Sequence, residues 1–175
     1  IDINNKCTNI YSNYSKKLKH RFENFDYSIF NNYQNIYHSI LNSLHEYENK
    51  NLGVLKCIHG DPVLTNILIN KHGKIKFIDM RGKVGNDLTI YGDWLYDWAK
   101  LYQSIIGYDK ILMKKDIDYE YENNLILYFK EYFIQLYSHS DFNNLKIITK
   151  SLLFSLIPLH NNDKCYKYFN LISNL

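Results

Sequence analysis

The sequence predicts an α+β fold, mostly α-helical, with a small β insertion that carries the chemistry. Three observations point there. On both sides of residues 53–92, apolar side chains recur every three or four positions, the period of an amphipathic helix. Within 53–92, short apolar and β-branched runs are separated by Gly, Asn and Lys turns. The residues able to do chemistry cluster at the ends of those runs.

Ile10, Tyr14, Leu18 and Phe22 recur every four residues and predict a helix over 9–23. Its basic run, Lys16-Lys17-Leu18-Lys19-His20-Arg21, reads as a solvated helix face. Asp26 or Ser28 is placed to cap a second helix, whose apolar positions are Tyr33, Ile36, Tyr37, Ile40, Leu41, Leu44 and Tyr47. Gly53 follows an Asn-Lys-Asn stop. Val54–Ile58 reads as a strand ending at His59, and Ile67–Ile69 as another; Lys71-His72-Gly73-Lys74 turns the chain into a third, Ile75–Ile78. A loop containing Gly82, Gly85 and Gly92 follows. Helical faces then return. Leu95, Trp98, Ala99, Tyr102, Ile105 and Ile106 make one, and Tyr121, Leu125, Tyr128, Phe129, Tyr132, Phe133 and Leu136 the next. Leu145, Ile148, Leu152, Phe154 and Leu156 end near Pro158, and Cys165, Phe169, Ile172 and Leu175 mark a last helix. The aromatic faces read as core rather than as cofactor boxes. A single unit results, with a helical lead-in (1–52), the chemistry-bearing loops (53–92) and a helical subdomain (93–175).

A length of 175 residues suits one domain or one lobe, and a hydrophobic share of 46% is too high for a disordered chain. The formal charge of +3 comes without a dense Lys/Arg stripe, so nucleic acid is not an expected partner. Cys7, Cys57 and Cys165 lie far apart without metal-ligand spacing, which suits reduced thiols in the cytoplasm. No apolar run reaches the roughly 20 residues that span a bilayer, and no signal peptide is read. A start at Ile1 rather than Met reads as a processed product or a fragment.

The segment His59-Gly60-Asp61-Pro62-Val63-Leu64-Thr65-Asn66 carries the chemistry, with Asp79 thirteen residues beyond Asn66. Phosphoryl transfer needs such a set. One carboxylate accepts or orients the proton of an attacking hydroxyl, while an amide and a second carboxylate hold the magnesium ions that bridge nucleotide phosphates. An amide suits that place because another carboxylate would repel the phosphates. The strand–turn–strand between Asn66 and Asp79 returns the chain so that both can face one metal. Asp93 precedes a helix and reads as its cap. Asp97 reads as a tether accepting backbone N–H bonds from the loop, and His59 as a brace. Arg81 suits a phosphate or a neighbouring carboxylate, with no choice between them. His72 reads as solvated and His160 and Asp163 as surface polar groups with a lesser prospect of lining a cleft. His20, His38, His45 and His139 form no ligand pair.

This segment resembles the catalytic loop of the aminoglycoside phosphotransferase and choline kinase family, His-Gly-Asp-x-x-x-x-Asn, which protein kinases vary as His-Arg-Asp. Ile78-Asp79 resembles the family's metal-binding aspartate, and Gly92-Asp93 through Asp97-Trp98-Ala99 its Gly-Asp…Asp-Leu-Ala segment. Phe77-Ile78-Asp79-Met80-Arg81-Gly82, Tyr91-Gly92-Asp93 and Ile157-Pro158-Leu159-His160 look most like a bacterial branch associated with surface-polysaccharide gene clusters. The resemblance implies a protein-kinase-like C-terminal lobe using ATP or another nucleoside triphosphate with Mg2+. Asp61 would be catalytic, Asn66 and Asp79 metal ligands, and His59, Arg81 and Asp97 supporting groups. The acceptor would be a hydroxyl of a sugar, amino-alcohol or aminoglycoside, with its binding residues unassigned. Met80-Arg81-Gly82 departs from Asp-Phe-Gly, as is usual in the small-molecule branch. No Gly-rich phosphate loop or strand lysine is read upstream, so the nucleotide-covering N-terminal lobe is expected to be absent here. The isolated chain would then be inactive, and the uncovered surface would favour a fused domain, a partner or self-association. The alternative is a non-catalytic binding or assembly module of a larger surface-polysaccharide biosynthesis protein. A two-metal phosphoesterase ranks last, because it needs further His and Asp ligands.

Overall fold

The four-residue spacing of Tyr14, Leu18 and Phe22 winds into α1 (Ser15–Glu23), which opens after a turn rather than at residue 9. The computed structural model describes residues 9–160 and 162–175, so Cys7 lies outside the described residues. α2 (Tyr33–Asn49) buries Tyr37, Ile40, Leu41, Leu44 and Tyr47, the face read from its period. Neither Asp26 nor Ser28 caps it. Its N-cap is Asn32, in a left-handed conformation whose side chain makes no capping bond to the helix backbone, while Asp26 accepts from Ser28 N at 2.9 Å to close an earlier turn. Tyr27 and Phe30 explain the delay. Both are buried, and Tyr27 Oη donates to Phe154 O, so residues 25–32 are drawn across the core as a link instead of a helical turn.

The β insertion comprises three two-stranded antiparallel sheets. β1 (Leu55–Cys57) pairs with β6 (Tyr91–Asp93), β2 (Ile67–Ile69) with β3 (Ile75–Phe77), and β4 (Lys83–Val84) with β5 (Asp87–Leu88). The last three of these strands lie in what reads from sequence as a glycine-rich loop. Two- and three-residue strands are too short to show alternation, and Gly92 in β6 is fixed by crowding: a Cβ there would lie 2.4 Å from Ile58 Cδ1.

After α3 (Trp94–Ile105) comes a short α4 (Tyr108–Met113), set off by Gly107 at φ 125. α4 has too few residues to display a period. α5 (Tyr119–Leu136), α6 (His139–Leu156), a 3₁₀ turn (Ile157–Leu159) and α7 (Asn162–Ser173) complete a mostly helical α+β chain. α6 is the core element. It packs on α1, α2, α3, α5 and α7, and buries Leu145, Ile148, Leu152, Leu153 and Phe154 among others. Each such side chain contributes roughly 1.5–3 kcal/mol on full burial. α5 corrects the reading of every aromatic face as core. Only Phe129 and Phe133 are buried, while Tyr121, Tyr128, Tyr132 and Leu136 are exposed. Packing on α3 and α6 takes one edge of α5, and Tyr128 and Tyr132 stack on each other outside. Cys57 and Cys165 are free thiols. Among the described residues, no helix is long and apolar enough to cross a membrane.

The β insertion and the helices are joined at Asp93, whose residue exposure is 1%. Its Oδ2 accepts from Tyr14 Oη at 2.7 Å and Tyr47 Oη at 2.8 Å; Oδ1 accepts from Val54 N at 3.2 Å and Leu95 N at 3.3 Å. It is therefore the α3 cap and more. Burial and then the Asp93 charge push both phenols above the ordinary tyrosine value, so both remain donors. Asp93→Ala strands these donors in the interior and is expected to cost roughly 3 kcal/mol, against about 1 kcal/mol for Tyr47→Phe, both measured by urea unfolding.

Candidate active site

β1 delivers His59 above the first turns of α3, and α3 holds the following loop along its length. Asp97 Oδ2 accepts from His59 N at 2.7 Å and Oδ1 from Gly60 N at 2.8 Å. These are the backbone bonds expected of it. Three residues on, Lys100 Nζ lies 3.0 Å from Asp61 Oδ1. Four further, Ser104 Oγ accepts from Leu64 N at 3.1 Å and donates to Asp109 Oδ2 at 2.6 Å. Asp109 also accepts from Leu64 N and from Thr65 Oγ1. Residues 97, 100 and 104 share one helix face, so α3 underlies the loop as a ruler.

Within the loop, the Asp61 carbonyl accepts from Val63 N at 2.9 Å and from Asn66 Nδ2 at 3.0 Å. The second bond commits the amide nitrogen of Asn66 and leaves its Oδ1 as the end able to bind a cation. His59 Nδ1 takes the Asp61 N–H at 3.3 Å, the bracing part read for it, while its Nε2 is buried without a hydrogen-bond partner among the described residues. Gly60 stands at φ +82, and a Cβ there would meet Arg81 Cβ at 2.8 Å, so the position needs glycine for two independent reasons.

The β2–β3 hairpin, with Ile67 opposite Phe77, brings Asp79 back to the loop. Ile78 N donates to Asn66 O at 3.0 Å and Arg81 N to His59 O at 2.9 Å, so Asp79 lies between two main-chain ties to the segment containing Asp61. It adopts φ 58, and its exposed carboxylate makes no hydrogen bond or ion pair among the described residues. Nor do three or more His, Cys, Asp or Glu converge on a metal position among those residues. A hard cation here would rest on Asn66 Oδ1 and the Asp79 carboxylate, with its remaining positions open to phosphate oxygens and water. The donor set fits magnesium carried by a nucleotide.

Four residues of this neighbourhood escape a reading of the motif: Tyr96, Lys100, Asp109 and Lys17. Arg81 Nη1 donates to Tyr96 Oη at 2.9 Å. Asp61 Oδ1 lacks a well-directed hydrogen bond, so its tie to Lys100 is a charge contact, with the lysine side chain 16% and the aspartate side chain 39% exposed. Burial would lower the Lys100 ammonium, but Tyr96, Asp61 and Tyr108 raise it above the ordinary lysine value. Lys17 corrects the solvated reading of the basic run. Lys16 is exposed, whereas Lys17 is half-buried and acts on Tyr96. A signal for Lys100 exists in its i+3 spacing from Asp97; Lys17 and Asp109 carry none. The hollow lined by Asn32, Ile36, Ser39, Lys150 and Ile172 includes no loop residue.

Comparison with known protein families, with curated proteins and with solved structures finds no match.

Asp97→Ala leaves two backbone N–H groups without their acceptor and is expected to cost roughly 2–4 kcal/mol. The His59 and Gly60 amides should then exchange faster in hydrogen-exchange measurements while α6 amides keep their order of protection. Lys100 has a folded value above its unfolded one. Its contact therefore adds stability below the ordinary lysine value, lost as pH rises through the folded value. Unfolding midpoints followed into alkali should fall less steeply in Lys100→Met than in the wild type.

Proposed function

We propose that the chain is the catalytic lobe of a small-molecule kinase related to the aminoglycoside phosphotransferase and choline kinase family, with the architecture of a protein-kinase-like C-terminal lobe. It would transfer a phosphoryl group from ATP or another nucleoside triphosphate to an alcohol. The observation that carries this reading is the joint placement of Asp61, Asn66 and Asp79. Asn66 closes the loop on the Asp61 carbonyl, and main-chain bonds on either side of Asp79 lay it against that loop.

In this reading Asp61 orients the acceptor hydroxyl and takes its proton as transfer proceeds. A bond forms between the acceptor oxygen and the terminal phosphorus, the bond from that phosphorus to its bridging oxygen breaks, and the nucleoside diphosphate leaves. Magnesium bound by Asn66 and Asp79 would neutralise phosphate charge. The transition state is loose, so the protein acts mainly by positioning and electrostatics. Asp97 and Ser104 serve by fixing the loop, and His59 by bracing Asp61. Cytoplasmic ATP chemistry suits the free thiols.

The second reading, a non-catalytic binding or assembly module in surface-polysaccharide biosynthesis, draws on a different feature. Leu68, Ile69, Ile75 and Phe77 stand exposed on the β2–β3 hairpin, a surface that suits a covering lobe, a fused domain or self-association. Turnover separates the two. In the full-length protein supplied with magnesium, labelled ATP and a panel of alcohols, Asp61→Asn is expected to lower transfer by orders of magnitude and leave nucleotide affinity nearly unchanged. Asp79→Ala should weaken metal–nucleotide binding itself. Unchanged turnover in Asp61→Asn would remove that residue from the mechanism. By calorimetry, magnesium alone should bind weakly, because two protein ligands leave most of its octahedron to water; tight nucleotide-independent binding would contradict the assigned role.

A further inference from the structure

A carboxylate awaiting a cationic substrate is expected to stand among other acids. Asp61 stands among bases. Lys100 reaches it from α3 at 3.0 Å, and Arg81, folded over Gly60, turns its guanidinium to Tyr96 Oη at 2.9 Å. Lys17, from α1, bears on the same Tyr96. Tyr96 is 2% exposed, and burial would raise its phenol; Lys17, Lys100 and Arg81 outweigh that and lower it. Lys17 feels the same crowding. Tyr96 favours its charge, yet burial together with Lys100, Arg81 and Arg21 brings it below the ordinary lysine value.

The neighbouring carboxylates do not balance this charge. Asp97 is committed to two backbone N–H groups, and Asp109 to Ser104, Leu64 and Thr65. Among the described residues neither Lys17 nor Arg81 forms a salt bridge, and the side-chain bond Arg81 makes is to the Tyr96 hydroxyl. Three cations thus gather around Tyr96, and only Lys100 among them is paired with a carboxylate, Asp61, in a partly desolvated place where an unanswered charge is costly. An incoming anion relieves that cost. Lys17 and Lys100 belong to α1 and α3, apart from the loop end and hairpin that carry the metal candidates, whereas Arg81 follows Asp79 by two residues.

We propose that Lys17, Arg81 and Lys100 form an anion pocket beside Asp61, which holds a phosphate-like dianion carried by the acceptor alcohol. The pocket follows from the charges and contacts around Tyr96 and Asp61; its assignment to the acceptor rests on the phosphotransfer reading. It narrows the acceptor to an alcohol that already bears an acidic group and disfavours quaternary or polyamine alcohols, which the same cations would repel. Arg81 offers a fork to two oxygens, and the lysines act as point charges on a third.

The test uses the full-length protein with inorganic phosphate, at constant ionic strength set with chloride. Phosphate is expected to bind saturably by 31P line broadening and to raise the melting temperature, whereas choline chloride does neither. Lys17→Gln and Lys100→Met should each weaken phosphate binding about tenfold or more, and Lys16→Gln, on the exposed side of α1, should leave it unchanged. Lys17→Gln keeps the test open if a change at the more buried Lys100 prevents folding. No saturable phosphate binding, or binding undiminished in Lys17→Gln, would overturn the pocket. A magnesium complex of a non-hydrolysable ATP analogue is then added. Phosphate and analogue bound together support the acceptor assignment; displacement of phosphate by the analogue gives the cations to the donor and overturns it. Failure of the analogue to bind while phosphate binds would remove the phosphotransfer reading and the acceptor assignment but leave the pocket standing.

Discussion

Tyr14, Tyr47, Val54 and Leu95 all donate to the carboxylate of Asp93, and the bonds from Tyr14, Tyr47 and Leu95 are buried. The donors come from the entrance to α1, from α2, from the approach to β1 and from the first turn of α3. A carboxylate suits this position because both of its oxygens only accept; an amide would turn a donor toward one pair of donors. Asp93 also pairs with Leu55 across the β1–β6 ladder, so its position in the interior and its register in the sheet are fixed together. β1 therefore has one place to end, and His59 starts from there.

From that anchor the remaining geometry follows the pitch of a helix. Asp97 lies one turn beyond Asp93 and meets the first two N–H groups of the loop; Lys100 meets Asp61, and Ser104 with Asp109 meets Leu64 and Thr65. A loop pressed against a helix loses water from its backbone donors and must find other acceptors. The cost is visible at Asp97. Burial raises its carboxyl above the ordinary aspartate value, with the His59 and Gly60 N–H bonds pulling the other way. The same bonds that compensate the carboxylate hold the loop in one conformation.

What could be read from the chain without coordinates is what short spacings encode. The β2 and β3 runs, their Lys71–Lys74 turn and the buried face of α2 all follow from residues close in sequence; Asp97 lies 38 positions beyond His59, and its place beneath the loop is legible through the family resemblance and not through spacing. The paired β1–β6 and β4–β5 ladders depend on partners far along the chain or on two-residue strands, and no local pattern marks them. α5 misleads for a different reason. Tyr is frequent throughout, so Tyr128, which is exposed, and Phe129, which is buried, carry similar hydrophobic signals one position apart. Lys17 misleads in the same way in charge: its neighbour Lys16 differs from it only in the direction it faces, which the packing of Tyr14 and Leu18 decides.

If the chain transfers phosphoryl groups as proposed, the Lys100–Asp61 contact bears on how a carboxylate can work beside phosphates. An aspartate presented to a polyanion is repelled by it, and one free to rotate would turn away. With Oδ1 buried against Lys100, rotation separates an ion pair in a desolvated setting, so the other oxygen is the one left to face a hydroxyl. A reaction that needs early deprotonation of the hydroxyl would require a strong base at this place. Phosphoryl transfer through a loose transition state does not need it: little charge builds on the attacking oxygen before the bond to the leaving group is largely broken, and direction matters more than basicity. On the proposed reading, the arrangement around Asp61 would suit a carboxylate that aims a hydroxyl and receives the proton late, with Lys17, Arg81 and Lys100 offsetting the charge that incoming phosphates would bring.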